Sequence, residues 1–190
     1  MILDVGCGDR PRGTVNVDLN VGDSAHLYKR HSHLKAIQNF VCADAQHLPF
    51  RSNVFAKVLC WHTLEHLADP SLALKEMVRV ANGTVQVVVP YRYHEKIQNF
   101  FMPQRRMWAK KYHKHFFDKR QLQTMLRKLK LRGTIRYKYK FGDAVKNFTN
   151  YHLSIVDFVL FGLLEAFLPP TPGELMMTVH KNANPIDLAK

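Results

Sequence analysis

Short apolar runs, each closed by an acid, glycine, proline or turn cluster, set the rhythm of the chain, and they predict strands near 1–5, 14–18, 39–43, 55–60 and 84–89. Their polar alternation is weak, as expected of strands covered on both faces. Asp69-Pro70 reads as an N-cap and first helical residue, opening a helix to Val80 with Leu72, Met77 and Val80 among its apolar positions. Asn82-Gly83 is expected to end that helix. Further on, Asp118 is expected to cap a helix through Leu131, and Gly133 to start a strand from Thr134 to Lys140. Leu175 to His180 makes the last strand, expected to pair antiparallel. Strands alternating with helices predict an α/β fold built on a largely parallel sheet.

The first strand ends in an unusual way. Leu3-Asp4-Val5 runs into Gly6-Cys7-Gly8, and the second strand, Val15-Asn16-Val17, ends in Asp18. Glycines at the carboxyl end of a parallel strand let a ligand approach the backbone, and an acid on the neighbouring strand can accept hydrogen bonds from a ribose. The pair describes a nucleoside site. A dinucleotide site would need a third glycine and a helix opening onto pyrophosphate. Here Gly8 is followed by Asp9-Arg10-Pro11-Arg12-Gly13, and only the eight residues from Gly6 to Gly13 connect the strands. That length permits an extended loop or one helical turn, and suits a ligand without phosphate. Asp44 closes the third short strand, Val41-Cys42-Ala43, which reads as buried. Its carboxylate could accept from an exocyclic amine, or cap the turn before Leu48-Pro49.

Four blocks in order resemble the class I S-adenosylmethionine-dependent methyltransferases, type-11 group: Leu3 to Gly8, Asn16 to Asp18, Ala43 to Phe50, and Phe55 to His66. A looser fifth block, Ser71 to Val80, resembles the family's helix after strand four. The resemblance implies a Rossmann-like, doubly wound, mostly parallel seven-stranded sheet with an antiparallel last strand. It implies S-adenosylmethionine as cofactor, with Asp4, Gly6 and Gly8 at the methionine end, Asp18 on the ribose, and Asp44 with Ala45 on the adenine. Trp61, His62 and Tyr91 follow strands four and five, with Trp61 at the cofactor, Tyr91 at the substrate rim and His62 as the candidate base. Two departures from the family pattern stand out. Ala56 replaces an acid after the opening phenylalanine of strand four. The chain also starts inside strand one, so a cover over the site is expected from elsewhere in the chain, unless the true start lies upstream.

Charge adds a second feature. Arg92 to Lys140 carries 16 Lys and Arg against Glu95 and Asp118, a net +14, while the whole chain is +13. Nine aromatics interleave those cations, among them Tyr93, Trp108, Tyr112, Tyr137 and Tyr139. Cations between stacking faces suit RNA, an anionic lipid surface or a solvated basic face. Tyr151 to Leu168 is nearly all apolar, but His152, Ser154, Asp157 and Glu165 argue against a membrane span. It is expected to serve as a lid or a homodimer contact. A single domain over 1–190 is expected, with its core in 1–90, 116–140 and 174–181 and insertions at 91–115 and 141–173. Cys7, Cys42 and Cys60 lie at or beside strands in neither a disulfide nor a zinc pattern, and no signal peptide is visible. A reducing, cytoplasmic setting is expected.

His62-Thr63-Leu64-Glu65-His66 matches the inverted zinc motif H-x-x-E-H. That motif needs a helix to bring both histidines to one side of a metal. The helix here starts only at Asp69-Pro70, so no metal is expected. His94, His113 and His115 form a second loose cluster, expected to face solvent within the basic stretch. After strand four there is neither an N/D-P-P-Y motif nor a Pro-Cys pair, which disfavours a nucleobase acceptor. Two functions are compatible with these residues. One is methyl transfer to an unidentified acceptor; the other is a noncatalytic methyltransferase-like scaffold for RNA or a protein partner.

Overall fold

The computed structural model describes residues 1–19, 37–93, 95–96, 107, 110–138 and 173–181. The expected lid or dimer segment Tyr151 to Leu168, and the end of the sixth strand at Tyr139 and Lys140, lie outside them. Seven strands form one sheet in the order β3-β2-β1-β4-β5-β7-β6. They are β1 (Ile2–Val5), β2 (Val15–Asp18), β3 (Phe40–Cys42), β4 (Phe55–Trp61), β5 (Ala81–Pro90), β6 (Gly133–Lys138) and β7 (Glu174–His180). The first five pair parallel; β7 runs antiparallel to both β5 and β6. The expected α/β sheet is therefore present, with its last strand in sequence inserted between β5 and β6.

Central strands carry the core. Leu3, Val5, Val58, Cys60, Val87 and Val89 are fully buried. β3 differs from the buried strand expected of Val41 to Ala43, because it closes the sheet at one edge and leaves Cys42 exposed. The link between β1 and β2 contains no helix. Its one backbone turn bond runs from Arg10 N–H to the Cys7 carbonyl at 3.1 Å. The eight-residue limit read from the sequence thus holds as an extended return.

Helix α1 (Pro70–Val80) packs on this sheet through Pro70, Ala73, Leu74, Met77 and Val80, one face at helical spacing. Asp69 caps it, accepting from Ser71 N–H at 2.9 Å and Leu72 N–H at 3.0 Å. The helix does not end on Asn82-Gly83 as expected. It stops at Val80, and β5 begins at Ala81 with Gly83 inside the strand. A side chain at Gly83 would place its Cβ 2.4 Å from the Ala56 carbonyl, so this glycine serves a close strand approach beside the register shift at Phe55 to Lys57. Helix α2 (Lys119–Lys128) starts on an Asp118 capping box with Gln121 and ends three residues before the expected Leu131. Left-handed backbone at Lys130, φ +53°, follows its end.

Two charged side chains bind α1 to its surroundings. Glu76 accepts Leu48 N–H at 3.0 Å and pairs with Arg79 at 2.7 and 2.8 Å. Arg79 in turn donates to the carbonyls of Phe50 and Leu48 at 2.7 and 2.9 Å, latching the loop after β3. At the other end, Lys181 Nζ donates to the carbonyls of Val78, Arg79 and Ala81 and to Asn53, satisfying acceptors left bare by the helix end. The Arg79 hydrogen bonds hold the Glu76 carboxyl below its usual pKa, against a smaller opposing effect of burial. Its stabilising contribution is therefore complete above the ordinary glutamate range and is lost as pH falls through the lowered value. Glu76→Ala should cost about 1–2 kcal/mol in urea unfolding at neutral pH, the charged hydrogen-bond range discounted for the partial exposure of Arg79. The gap to wild type should close under acid conditions, and a pH-independent difference would refute this role.

Candidate functional site at the carboxyl edge of the sheet

The turn after β1 is held from three sides. Gly6 and Cys7 donate to the Val17 carbonyl at 2.8 and 3.0 Å, and Gly8 N–H donates to Asp18 Oδ2 at 2.9 Å. Gly6 sits at φ +71° and Gly8 at φ +53°. A Cβ on Gly6 would lie 2.1 Å from Thr63 Oγ1, so the loop leaving β4 fills the space that any side chain would take. Cys7 is buried, and burial with the nearby Asp18 and Asp4 charges pushes its thiol up to about 12. It is no nucleophile at neutral pH.

Asp4 is fully buried within β1. Its Oδ2 accepts Arg12 N–H at 2.8 Å, which pins the return loop, while the buried Oδ1 has no hydrogen-bond partner among the described residues. Burial raises its carboxyl pKa, against the lowering by Arg12. An unsatisfied buried carboxylate oxygen is costly and is relieved by a cationic donor.

Asp44 closes an Asx turn at the edge. It accepts Gln46 N–H at 2.8 Å and the Gln46 amide at 3.2 and 3.1 Å. Burial opposes ionisation here, but these Gln46 bonds prevail and hold the carboxyl below its usual pKa. Gln46 also accepts Asp69 N–H at 2.7 Å, which couples the turn to the start of α1. Ala45 beside it is buried. Ala43 N–H donates to the Asp18 carbonyl at 3.1 Å, so the Asp18 and Asp44 positions are coupled along one edge.

Trp61, the last residue of β4, lies between two cations. The Arg12 guanidinium is 4.6 Å and Lys138 Nζ 4.5 Å from its ring centroid, and its buried indole N–H has no acceptor among the described residues. His62 follows in left-handed backbone, φ +53°, a costly conformation for a non-glycine residue. Its Nε2 lies 2.6 Å from Glu174 Oε1, and its Nδ1 3.7 Å from Glu65 Oε1. Lys138 completes the chain, 3.2 Å from Glu174 Oε2. Burial favours the neutral imidazole, but Glu174 and Glu65 outweigh it and push His62 up to about 9. It is an imidazolium at neutral pH, so the expected base already carries its proton. Tyr91 continues the rim, with its ring 5.4 Å from Tyr93 and 5.5 Å from Tyr137.

Asp4, Gly6, Gly8, Asp18, Trp61 and His62 thus share the ends of the central strands. Asp44 and Ala45 stand beside them at β3, and Tyr91 at the end of β5. Sequence reasoning missed Glu174, Lys138, Arg12 and Thr63. Glu174 lies 112 residues from its partner His62. Its only signal was an acid opening an otherwise apolar strand. His113, expected to face solvent, is instead buried at 8% exposure against Glu95. His94 lies outside the described residues.

Residues 3–88 match the profile of a family described as a methyltransferase domain, type 11. An uncharacterized protein of Methanocaldococcus jannaschii is 34% identical over 92 residues, which cover 47% of this chain and 39% of that protein. The match therefore spans about two-fifths of that relative's length. Three solved structures share the fold. An S-adenosylmethionine-dependent methyltransferase of Archaeoglobus fulgidus is 18% identical, with TM-score 0.57, over 95% of this chain and 85% of its own. One of Thermotoga maritima is 16% identical, with TM-score 0.59, over 95% and 82%. The plantazolicin methyltransferase BpumL, solved with a desmethyl-plantazolicin analogue and SAH, is 14% identical with TM-score 0.60 over 96% and 76%.

The His62 pairing has a measurable consequence. Its folded pKa stands above its ordinary value of 6.5, so its stabilising effect is complete below that value and is lost as pH rises through about 9. Because the ring is 41% exposed, solvent screens the pair and the loss is modest. NMR titration should place the His62 midpoint near 9, and Glu174→Gln should bring it back toward 6.5. A wild-type midpoint at 6.5 would remove the ion pair from the site.

Proposed function

We propose, from the match of residues 3–88 to the methyltransferase-domain family, that the chain is an S-adenosylmethionine-dependent methyltransferase whose cofactor lies across the ends of β1, β2 and β3. The observation that carries the assignment is the Gly6 to Gly8 turn. Its two glycines carry no Cβ, Gly8 N–H ties it to Asp18, and the buried Asp4 Oδ1 on the same strand has no hydrogen-bond partner among the described residues. The bound cofactor supplies an activated sulfonium methyl group.

The residues fit that group by their chemistry. Asp4 Oδ1 accepts from the cofactor's ammonium, which relieves the buried carboxylate. Gly6 and Gly8 let the backbone approach it. Asp18, fixed by Gly8 N–H, accepts from the ribose hydroxyls. Asp44 and the Ala45 N–H address the adenine, with the Asp44 carboxylate already oriented by Gln46. The buried Trp61 indole N–H is a further donor for the bound molecule.

The acceptor side takes its character from Trp61, His62 and Tyr91. Methyl transfer by direct displacement needs alignment and exclusion of water more than proton removal. His62, protonated and locked to Glu174, acts as a fixed cation at this rim, together with Arg12 and Lys138. An anionic acceptor fits it. The basic stretch from Arg92 to Lys140 extends that preference beyond the rim, and cations lie over its rings: Lys119 over Tyr137 at 5.6 Å, Lys111 over Tyr112 at 5.2 Å and Lys96 over Tyr93 at 5.8 Å. Cations and stacking faces together favour RNA as the acceptor or its carrier.

Asp18→Ala should weaken S-adenosylmethionine binding, measured by calorimetry, by about 1.5–3 kcal/mol, the worth of a charge-assisted hydrogen bond. Asp18→Asn keeps an acceptor for Gly8 N–H, so a loss in both variants separates ribose binding from loop support. Wild-type protein that gives neither heat nor a thermal shift with the cofactor would instead identify a noncatalytic scaffold.

Binding of single-stranded RNA should fall steeply with salt, as counterion release requires, and Lys110→Glu with Lys111→Glu should weaken it without changing cofactor affinity. Gel shifts across salt concentrations read the effect. Binding to anionic vesicles but not to RNA would reassign the stretch to a lipid surface, and binding to neither would leave it as a solvated face.

A further inference from the structure

Beyond the cofactor site, the turn after β4 gathers a second cluster. One donor atom from each of Glu65, His66 and His113 lies within 4.8 Å of the other two. His113 comes from the segment before α2, about fifty residues from the H-x-x-E-H motif in the numbering of the chain. Glu65 and Glu95, each 1% exposed, are buried carboxylates in or beside this cluster, and His113 is 8% exposed.

We propose that Glu65, His66 and His113 form a three-donor site for a divalent transition metal ion, with zinc the best fit. Two imidazoles and one carboxylate are a zinc donor set, and three protein donors leave one coordination position for water or a bound group. The site uses two of the motif's three donor residues. His62 Nε2 pairs with Glu174 instead, and the short 3-10 helix Leu64–His66 replaces the α-helix that the motif needs. His113 takes the place of the missing histidine.

Three observations support the assignment. The first is orientation. His66 Nδ1–H donates to the Tyr112 carbonyl at 2.9 Å, which fixes the tautomer whose Nε2 lone pair can ligate. That Nε2 is 4.0 Å from Glu65 Oε1. Glu95 Oε1 stands 2.6 Å from His113 Nδ1, the outer carboxylate that commonly backs a ligating histidine, although the contact lies off the hydrogen-bond line.

The second is unsatisfied charge. Among the described residues, Glu65 Oε2 and Glu95 Oε2 are buried without a hydrogen-bond partner, while Glu95 Oε1 faces His113 Nδ1. A buried carboxylate is costly unless a cation compensates it.

The third is construction. The Glu65 carbonyl accepts Lys114 N–H at 2.9 Å and His115 N–H at 3.1 Å. These two backbone bonds staple the two segments that supply the donors. A tetrahedral ion with bonds of about 2.0–2.1 Å keeps its donors roughly 3.3 Å apart, so donor separations need to contract by up to about 1.5 Å. Rotation of side chains on a fixed backbone supplies a movement of that size.

The test is zinc chloride titrated into chelator-treated full-length protein, read by calorimetry and by metal content after gel filtration. One tight equivalent is expected, and cobalt in its place should give the visible absorption of a tetrahedral ion. Glu95→Gln should weaken binding by about 10–100-fold, and His113→Ala or Glu65→Gln by more. Circular dichroism of each variant separates lost ligation from lost folding, and His113→Asn serves if the alanine variant unfolds. His47→Ala, on an exposed histidine, should change nothing. Zinc that binds wild type no better than a folded His113→Asn variant, or that leaves on gel filtration, would overturn the site. S-adenosylmethionine is absent from every arm, so the outcome is independent of the methyltransferase assignment.

Discussion

The bare Cα of Gly6 is the constraint on which the carboxyl edge of this sheet depends. It sits at φ +71° with Thr63 packed where a Cβ would stand, and its N–H reaches the Val17 carbonyl. Three neighbouring strands, β2, β1 and β4, are thereby locked at one residue. The close approach allows Thr63 Oγ1 to lie 3.2–3.4 Å from the carbonyls of Trp61, Val5 and Gly6. That fixes the path by which the chain leaves β4. The left-handed backbone of His62, the short helix at Leu64–His66 and the placement of Glu65 all follow from this exit.

From that exit two linked sets of charged groups extend. His62 reaches across to Glu174 at the start of β7, which also takes Lys138 from β6. Glu65, whose Oε1 is 3.7 Å from His62 Nδ1, joins that set to His66, His113 and Glu95. Each set joins the end of β4 to segments much later in the chain. Buried carboxylates are tolerated only beside such partners, so these links determine which segments pack against the site as well as its charge. The result is a cationic, aromatic rim beside a glycine turn, with a carboxylate–imidazole cluster behind it.

Much of the fold was legible because its causes are local. Asp69-Pro70 and Asp118 cap helices through bonds to residues two or three positions away, and the apolar runs of β1, β2, β4 and β5 are buried on both faces. Gly83 shows where local reading fails. Asn82-Gly83 has the composition of a helix stop, yet the glycine is required by the Ala56 carbonyl across the sheet, a contact with no trace in the neighbouring residues. The exposure of Cys42 likewise follows from the edge position of β3, and strand order is not written in a single strand.

The same division runs through the site. The sequence by itself determined the glycine turn, the acids at the ends of β2 and β3, and the aromatic and histidine that follow β4, because strand ends carry their ligand-facing residues in contiguous blocks. Only the tertiary structure decided their states. Glu174 and Glu65 raise the His62 pKa, Gln46 occupies the Asp44 carboxylate, and Arg12 holds one oxygen of Asp4 while the other has no hydrogen-bond partner among the described residues. His113, read along the chain as one more histidine in a basic stretch, becomes a buried partner of Glu65 and His66. Protonation, burial and ligation depend on what stands within a few ångströms of a side chain, and distance along the chain does not specify distance in space.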